Sequence, residues 1–294
     1  MSEEEEYGQS SSRKIPKGLL IAVGGNEDKE YDLFILRKIV SLAGKGNKKP
    51  VRIELITTAS EVPNEVAKSY RKAFSMIDGN HLGTMHIHSR EEASDPALLR
   101  RIKKADMIFF SGGDQLRITS ILGGSPVLKE IRSRYFHDNI IVAGTSAGAA
   151  AMPETMIYGG TATEALLKGA VQMTAGIGLI GRVIIDSHFI KRGRFSRLMQ
   201  IIASNPGHIG LGLGEDTGVV IEKGRYLKAI GSGLVVIFDG QDLRYTNITD
   251  ISENEAIAIE NIRVHTIVKG FGYDLMKREY LKPQDIDRLN LVSK

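Results

Sequence analysis

The chain has 294 residues, of which 42% are hydrophobic and 25% are charged, with a formal net charge of +4. This composition is ordinary for a globular protein that buries a core, and the absence of cysteine excludes disulfides, zinc–thiolate sites and a cysteine nucleophile. The basic residues are scattered and accompany no nucleic-acid motif, so no nucleic-acid partner is expected.

Residues 1–17 are charged, rich in serine and without apolar spacing, which predicts a disordered tail. Their acidic start is the opposite of a secretory signal. No stretch approaches the roughly 18 uninterrupted apolar residues of a membrane-spanning helix. We therefore expect a cytoplasmic protein that does not enter a membrane.

From residue 18 onward, short apolar runs alternate with segments of helical spacing. In chain order, strands are predicted at 18–23, 51–57, 82–87, 105–110, 139–143, 183–185 and 209–213. Helical segments are predicted at 33–40, 62–76 and 95–104. Such alternation requires crossover helices, and it predicts an α/β fold with a doubly wound, mostly parallel sheet covered by helices on both faces.

After residue 217 the pattern changes to short strands separated by glycine, at 218–221, 234–238 and 262–267. These strands predict an antiparallel C-terminal extension. No repeat of fixed period and no break in composition marks a second domain, so residues 18–294 are predicted to form a single α/β domain.

The first candidate for chemistry is Ser146, in a segment that reads Gly-Thr-Ser-Ala-Gly over residues 144–148. A predicted strand precedes it and small helix formers follow it, which is the context of a nucleophile elbow. The amide of Ala147 would then face a developing oxyanion. The alternative is a glycine-rich connector whose serine merely caps a helix.

Residues 111–115 read Ser-Gly-Gly-Asp-Gln and close the preceding predicted strand. Two glycines at a strand end permit backbone amides that face a ligand, which would supply the second half of an oxyanion hole. A plain turn followed by an Asp-capped helix explains the same residues equally well.

A serine nucleophile needs a base, and the base needs a carboxylate that orients it. Of the seven histidines, His188 is the candidate base because it directly follows the strand at 183–185. The alternative is a structural role, which is more common for a lone histidine. Glu215 and Asp216 follow the strand at 209–213, and either could accept a hydrogen bond from the imidazole. The order serine, histidine, acid differs from that of the α/β-hydrolases, which argues against that fold.

Two arginines, Arg194 and Arg197, follow the candidate histidine at a spacing of three, which places them on one face of a predicted helix. Such a pair can clamp a carboxylate. A solvated helix face is an equally good interpretation of the same spacing.

The segments at 111–115, 144–149, 186–189 and 210–217 together resemble the cyanophycinases, which belong with the dipeptidase E peptidases. The fold of those peptidases is similar to that of class I glutamine amidotransferases. The resemblance extends over roughly residues 18–264, with four motifs in matching order and spacing.

This resemblance implies a Ser146–His188–Glu215 triad, with oxyanion donors at the amides of Gly113 and Ala147. It implies hydrolysis of cyanophycin, a poly-aspartate that carries arginine on each side-chain carboxyl, to β-aspartyl-arginine dipeptides. It further implies a homodimer and no metal or cofactor. The residues that would bind substrate are Gln115, Asp186, Arg194 and Arg197.

Two positions depart from the family pattern. Ser187 stands where cyanophycinases usually have Gln, and Gly214 stands where they often have Asp. The triad is untouched, but these changes leave open an aspartyl or β-aspartyl dipeptidase that acts on short peptides. A non-catalytic homologue that binds a small molecule is the alternative from another class. Residues 24–26, Gly-Gly-Asn, superficially resemble a phosphate loop but lack its signatures.

Overall fold

The computed structural model describes residues 14–44, 50–77, 81–289 and 291. Residues 1–13 of the predicted disordered tail lie outside the described residues. The prediction of a single domain over residues 18–294 stays a prediction. In the part of the chain that is described, no helix is long and apolar enough to cross a membrane.

Within the described residues the chain forms seventeen strands and eight α-helices. The strands are β1 (Leu19–Val23), β2 (Arg52–Ile56), β3 (His81–Met85), β4 (Met107–Phe110), β5 (Ile141–Thr145), β6 (Thr155–Gly159), β7 (Gln172–Ala175), β8 (Val183–Asp186), β9 (Ile209–Leu213), β10 (Thr217–Glu222), β11 (Tyr226–Gly231), β12 (Leu234–Asp239), β13 (Tyr245–Thr246), β14 (Ile259–Glu260), β15 (Arg263–Val268), β16 (Gly272–Asp274) and β17 (Glu279–Leu281). The helices are α1 (Phe34–Ala43), α2 (Pro63–Ser75), α3 (Pro96–Lys104), α4 (Gln115–Leu122), α5 (Pro126–His137), α6 (Ala147–Ala150), α7 (Phe195–Ser204) and α8 (Pro283–Arg288).

The central sheet has nine strands in the order β17-β16-β11-β10-β1-β5-β4-β2-β3. Strands β1, β5, β4, β2 and β3 pair in parallel, whereas β10, β11, β16 and β17 continue the sheet in antiparallel fashion beyond β1. This arrangement confirms the predicted α/β class. Of the three strands predicted for the antiparallel extension, the one at 218–221 lies in the central sheet as β10, whereas those at 234–238 and 262–267 are antiparallel strands of a second sheet, as β12 and β15.

One detail of the predicted sheet was wrong, because β8 and β9 do not join the central sheet. They pair in parallel with each other in a second sheet of order β15-β12-β9-β8. The side of β1 away from β5 is occupied by β10, where Leu20 lies opposite Ile221. Every residue of β8 and β9 is buried. A uniformly apolar strand reveals that it is covered on both faces but not which sheet contains it.

Side chains of β1 alternate between two cores, as expected for a strand buried on both faces. Leu19, Ile21 and Val23 pack with α1 and α2 on one face of the central sheet. Leu20 and Ala22 point to the opposite face, where α3, α4, α5 and the second sheet cover them. The core on this second face is therefore shared by both sheets. Backbone hydrogen bonds place the segments that follow β5, β8 and β9 at the carboxyl end of β1.

The short helix α6 packs against the central sheet with almost no space. A Cβ atom on Gly148 would lie 2.4 Å from the carbonyl oxygen of Phe110 and 2.8 Å from its Cβ atom. Both contacts involve positions fixed by the backbone, so a side-chain rotation cannot relieve them.

We predict that Gly148→Ala destabilises the protein by about 1–3 kcal/mol, the usual cost of overpacking a core. Gly207→Ala is the matched control, since a Cβ atom there would meet nothing within 4 Å. Denaturant unfolding of the two variants measures the difference. Equal stability of the two variants would contradict the packing described for α6.

Candidate active site

Ser146, His188 and Glu215 form a continuous chain of hydrogen bonds. The Oγ atom of Ser146 lies 2.9 Å from Nε2 of His188, and Nδ1 of His188 lies 2.7 Å from Oε1 of Glu215. The three residues follow β5, β8 and β9 respectively. This is the geometry of a nucleophile, a base and the carboxylate that orients the base.

Of the two acids that the spacing left open, Glu215 is the one that contacts the imidazole. Asp216 instead accepts hydrogen bonds from the amide of Asp28 and the hydroxyl of Ser232. It therefore ties two loops together beside the site.

Three consecutive carbonyls at the end of β1 hold the segments that carry these side chains. The carbonyl oxygens of residues 23, 24 and 25 accept the amides of Ser146, His188 and Asp216, in that order, at 2.9, 2.8 and 3.0 Å. Because the three segments are far apart in the chain, this one short stretch of backbone sets their positions relative to one another.

The same segments contain positive φ angles, which non-glycine residues rarely adopt. The φ angles are 52° at Ser146, 48° at His188 and 45° at Asp216. Each such conformation costs roughly 1–3 kcal/mol and persists where the surrounding structure enforces it. At Ser146, with ψ of −113°, it forms the sharp turn of the elbow between β5 and α6.

Gly25 provides the space for the imidazole. Its φ is +99°, and a Cβ atom at this position would lie 2.4 Å from Nε2 of His188. The glycine pair after β1 therefore serves the histidine, which differs from the phosphate-loop interpretation of the same residues.

The second carboxylate oxygen of Glu215 is also engaged. Nδ2 of Asn26 lies 3.2 Å from it and Nζ of Lys191 lies 3.3 Å from it. The hydrogen bond from His188 lowers the pKa of Glu215 below its usual value. Partial burial opposes that shift, while Lys191 and Asn26 reinforce it. Glu215 is therefore ionised at neutral pH.

The glycine loop after β4 lies directly against the serine. A Cβ atom on Gly112 would be 3.3 Å from Cβ of Ser146, and Gly113 has a φ of +140°. Ala147 is the first residue of α6, so its amide has no acceptor within the helix. Asp114 caps α4 by accepting the amide of Leu116, so the capped-helix interpretation of this loop also applies.

The predicted substrate-binding residues have partners inside the protein. Nη1 of Arg194 donates to Oδ1 of Asp186 at 2.7 Å, and Nε of Arg197 lies 3.2 Å from Oδ2 of the same carboxylate. Asp186 and Arg197 are only 2% and 6% exposed. Burial raises the pKa of Asp186, and the two guanidinium groups oppose that rise.

This cluster differs from the pair of free cations that the spacing predicted, because a buried carboxylate must be paired. Arg194 precedes α7 and also donates to the carbonyl of Ser187, whereas Arg197 lies in the first turn and donates to the carbonyl of Gly160. The amide group of Gln115 donates to the carbonyl of Ile157.

The model of peptidase family S51 matches residues 19–228, well over half of the chain. The chain belongs to peptidase family S51. This S51 peptidase is 34% identical over 255 residues to the cyanophycinase of Geminocystis herdmanii, a match that covers 87% of this chain and 93% of the relative. It is 35% identical to the cyanophycinase of Synechococcus elongatus, over 88% of this chain and 80% of the relative. It is thus a cyanophycinase-like hydrolase of the serine type.

Solved structures share the fold of this S51 peptidase. A peptidase from an acI-B1 actinobacterium superposes with a TM-score of 0.66 at 22% identity, covering 89% of this chain and 98% of its own. A putative peptidase E protein from Listeria monocytogenes gives a TM-score of 0.51 at 17% identity, over 74% and 99% of the two chains.

Sequence reasoning missed the residues that follow β1. Gly25 accommodates the imidazole and Asn26 contacts the carboxylate of Glu215, while the buried Glu27 contacts Thr145. A usable signal was present, since a polar segment after a buried strand in such a sheet lies at the edge where ligands gather. The sequence did not reveal that β5 is the strand that pairs with β1.

We predict that Glu215→Gln lowers the melting temperature at neutral pH and that this difference shrinks as the pH falls below 4.5, the usual value for a glutamate. A carboxylate whose pKa is lower in the folded state than in the unfolded state stabilises the fold fully at pH values above its unfolded-state pKa. That stabilisation is lost as the pH falls through its folded-state pKa. Thermal unfolding across this range measures the effect.

Glu65→Gln, at an exposed position on α2, is the control for the loss of one carboxylate. A difference between the wild type and Glu215→Gln that persists unchanged at acid pH would show that the ionised carboxylate is not its source.

Proposed function

We propose that this enzyme is a serine exopeptidase that hydrolyses cyanophycin to β-aspartyl-arginine dipeptides through an acyl-enzyme on Ser146. The observation that carries the proposal is the unbroken hydrogen-bond chain from the hydroxyl of Ser146 through His188 to Glu215. The substrate follows from the similarity to cyanophycinases over most of the chain.

In the first half of the reaction, Nε2 of His188 takes the hydroxyl proton as Oγ of Ser146 attacks an aspartyl carbonyl carbon. Glu215 keeps the ring oriented and stabilises the resulting imidazolium without accepting its proton. The imidazolium then gives its proton to the leaving amine as the peptide bond breaks, which leaves an ester on Ser146.

In the second half, His188 takes a proton from water as the water oxygen attacks the ester carbonyl. The ester bond breaks, the proton returns to Oγ of Ser146, and the product acid leaves. The amides of Gly113 and Ala147 are the proposed donors to the oxyanion in both halves. The contact of Gly112 with Ser146 and the free helix-start amide of Ala147 support that role.

Substrate recognition in this proposal depends on Arg194, which is the less buried of the two arginines. Its guanidinium would bind the free carboxylate of an arginine unit in the substrate. Asp186 contributes by holding that guanidinium in place, while Arg197 balances the charge of the same carboxylate through its other oxygen. The side-chain oxygen of Gln115 remains available to the substrate. A cytoplasmic location and a homodimer complete the proposal.

A dipeptidase for short aspartyl peptides is the second candidate, favoured by the buried Ser187 beside the base. Its side chain is shorter than the Gln usual in cyanophycinases and reaches less far toward a polymer. Incubation with insoluble cyanophycin and, separately, with α-aspartyl dipeptides distinguishes the two substrates.

We predict that Ser146→Ala lowers turnover of cyanophycin by at least about 10⁴-fold, because no nucleophile remains. Binding of the polymer should survive, and mass analysis of wild-type products should show β-aspartyl-arginine. Ser204→Ala removes a hydroxyl that bonds only within α7 and should keep full activity.

A fluorophosphonate should label the wild type and not the Ser146→Ala variant. A fall in turnover of less than about 10³-fold in Ser146→Ala, or a wild type that resists labelling and hydrolyses nothing, would overturn the proposed function.

We predict that Arg194→Met raises KM for cyanophycin about 10- to 100-fold with little change in kcat, the usual loss for one charge-assisted hydrogen bond. Steady-state kinetics on soluble oligomers measures both constants. Arg192→Met, at an exposed position two residues earlier, is the control. Equal KM values for the two variants would remove Arg194 from the binding site.

A further inference from the structure

A second glutamate is buried beside the site and has no part in the proposed reaction. Glu27 follows the glycine pair after β1, and its residue is 3% exposed. Its Oε2 atom accepts a hydrogen bond of 2.6 Å from the hydroxyl of Thr145. Its Oε1 atom accepts a hydrogen bond from the hydroxyl of Tyr70 and lies 3.0 Å from Nζ of Lys29.

A carboxylate is removed from water at high cost, so its partners must compensate for the loss of hydration. Lys29 supplies the opposite charge, and its Nζ atom lies over the ring of Tyr70, 5.1 Å from the ring centroid. Burial and the carboxylate of Glu27 raise the pKa of Tyr70 well above its usual value, so that hydroxyl stays protonated and donates. Both carboxylate oxygens are thus engaged in a closed network.

One member of that network is joined directly to the nucleophile. Thr145 is the last residue of β5, is 4% exposed and is followed by Ser146 with its positive φ. In the sheet Thr145 lies opposite Val23, whose carbonyl accepts the amide of Ser146. The elbow is therefore held at two points. The carbonyl of Val23 accepts the amide of Ser146, and the carboxylate of Glu27 accepts the hydroxyl of Thr145.

We propose that Glu27 is a positioning residue, which fixes Thr145 through its hydroxyl and so sets the angle at which Ser146 presents Oγ to the base and substrate. The inference rests on the proposed function, since it assumes that Ser146 is the nucleophile. A residue in this role leaves substrate affinity alone and acts on the chemical step.

The decisive variant is Thr145→Val, which keeps the shape of the side chain and removes the donor to Glu27. Misplacement of a reacting group by about 1 Å costs about 10²-fold in rate, so we expect kcat to fall about 10- to 100-fold with KM within about twofold. The rate of fluorophosphonate labelling should fall in parallel. Thr145→Ser, which retains a hydroxyl, should recover most of kcat.

Glu27→Gln and the double variant complete a cycle. Both single changes act on one hydrogen bond, so the double variant should lose no more kcat than the worse single variant. If Glu27→Gln does not fold, the comparison of Thr145→Val with Thr145→Ser still decides the question.

Tyr273→Phe is the matched control for the loss of a buried hydroxyl that donates to a carboxylate. Tyr273 is fully buried and donates to Asp239 at 3.0 Å. Asp239 pairs with Ile209 at the start of β9, the end opposite Glu215. This variant should lose melting temperature without losing kcat.

A kcat for Thr145→Val within twofold of the wild type, measured per active site titrated, would overturn the inference. So would a loss of kcat that Tyr273→Phe shares. In either case a wild type that is labelled and releases dipeptides leaves the proposed function intact. If the wild type is not labelled, the proposed function itself is contradicted, and the inference that rests on it falls as well.

Discussion

The site depends on three peptide carbonyls in a row. At the end of β1, the carbonyls of residues 23, 24 and 25 accept the amides of Ser146, His188 and Asp216. Side-chain hydrogen bonds between a serine, a histidine and a glutamate have little value unless the backbones are already in register, because each side chain has only a short reach. The first strand supplies that register, although no side chain of the triad comes from it.

This arrangement also explains why the site can contain strained backbone. Ser146, His188 and Asp216 each have a positive φ, and each donates its amide to the β1 end. A hydrogen bond to a fixed acceptor inside a packed core compensates for an unfavourable dihedral angle, whereas a solvated loop would relax away from it. The glycines after β1 have the complementary role, since Gly25 leaves the space that the imidazole fills.

Three of the carboxylates around the site differ in their electrostatic surroundings. Glu215 is partly exposed, bonds the imidazole and has a lowered pKa, which suits a group that must stay ionised. Asp186 is buried and paired with two arginines, one of which reaches toward solvent. Glu27 is buried on the other side, against Thr145 and Lys29. Burial makes the latter two costly to leave unpaired, so each holds a rigid neighbour in place.

The sequence by itself determined the fold class, the elbow at Ser146 and the positions of His188 and Glu215 after strands, because these depend on local periodicity and on residues at strand ends. Spacing alone left Glu215 and Asp216 equivalent, and only the family resemblance favoured Glu215. The sequence could not assign β8 and β9 to a second sheet or show that Asp186 pairs with Arg194. Those outcomes depend on which strands become neighbours and which charges lose water together. Only tertiary packing decides them, because the partners are far apart in the chain and their contacts form only when the core packs.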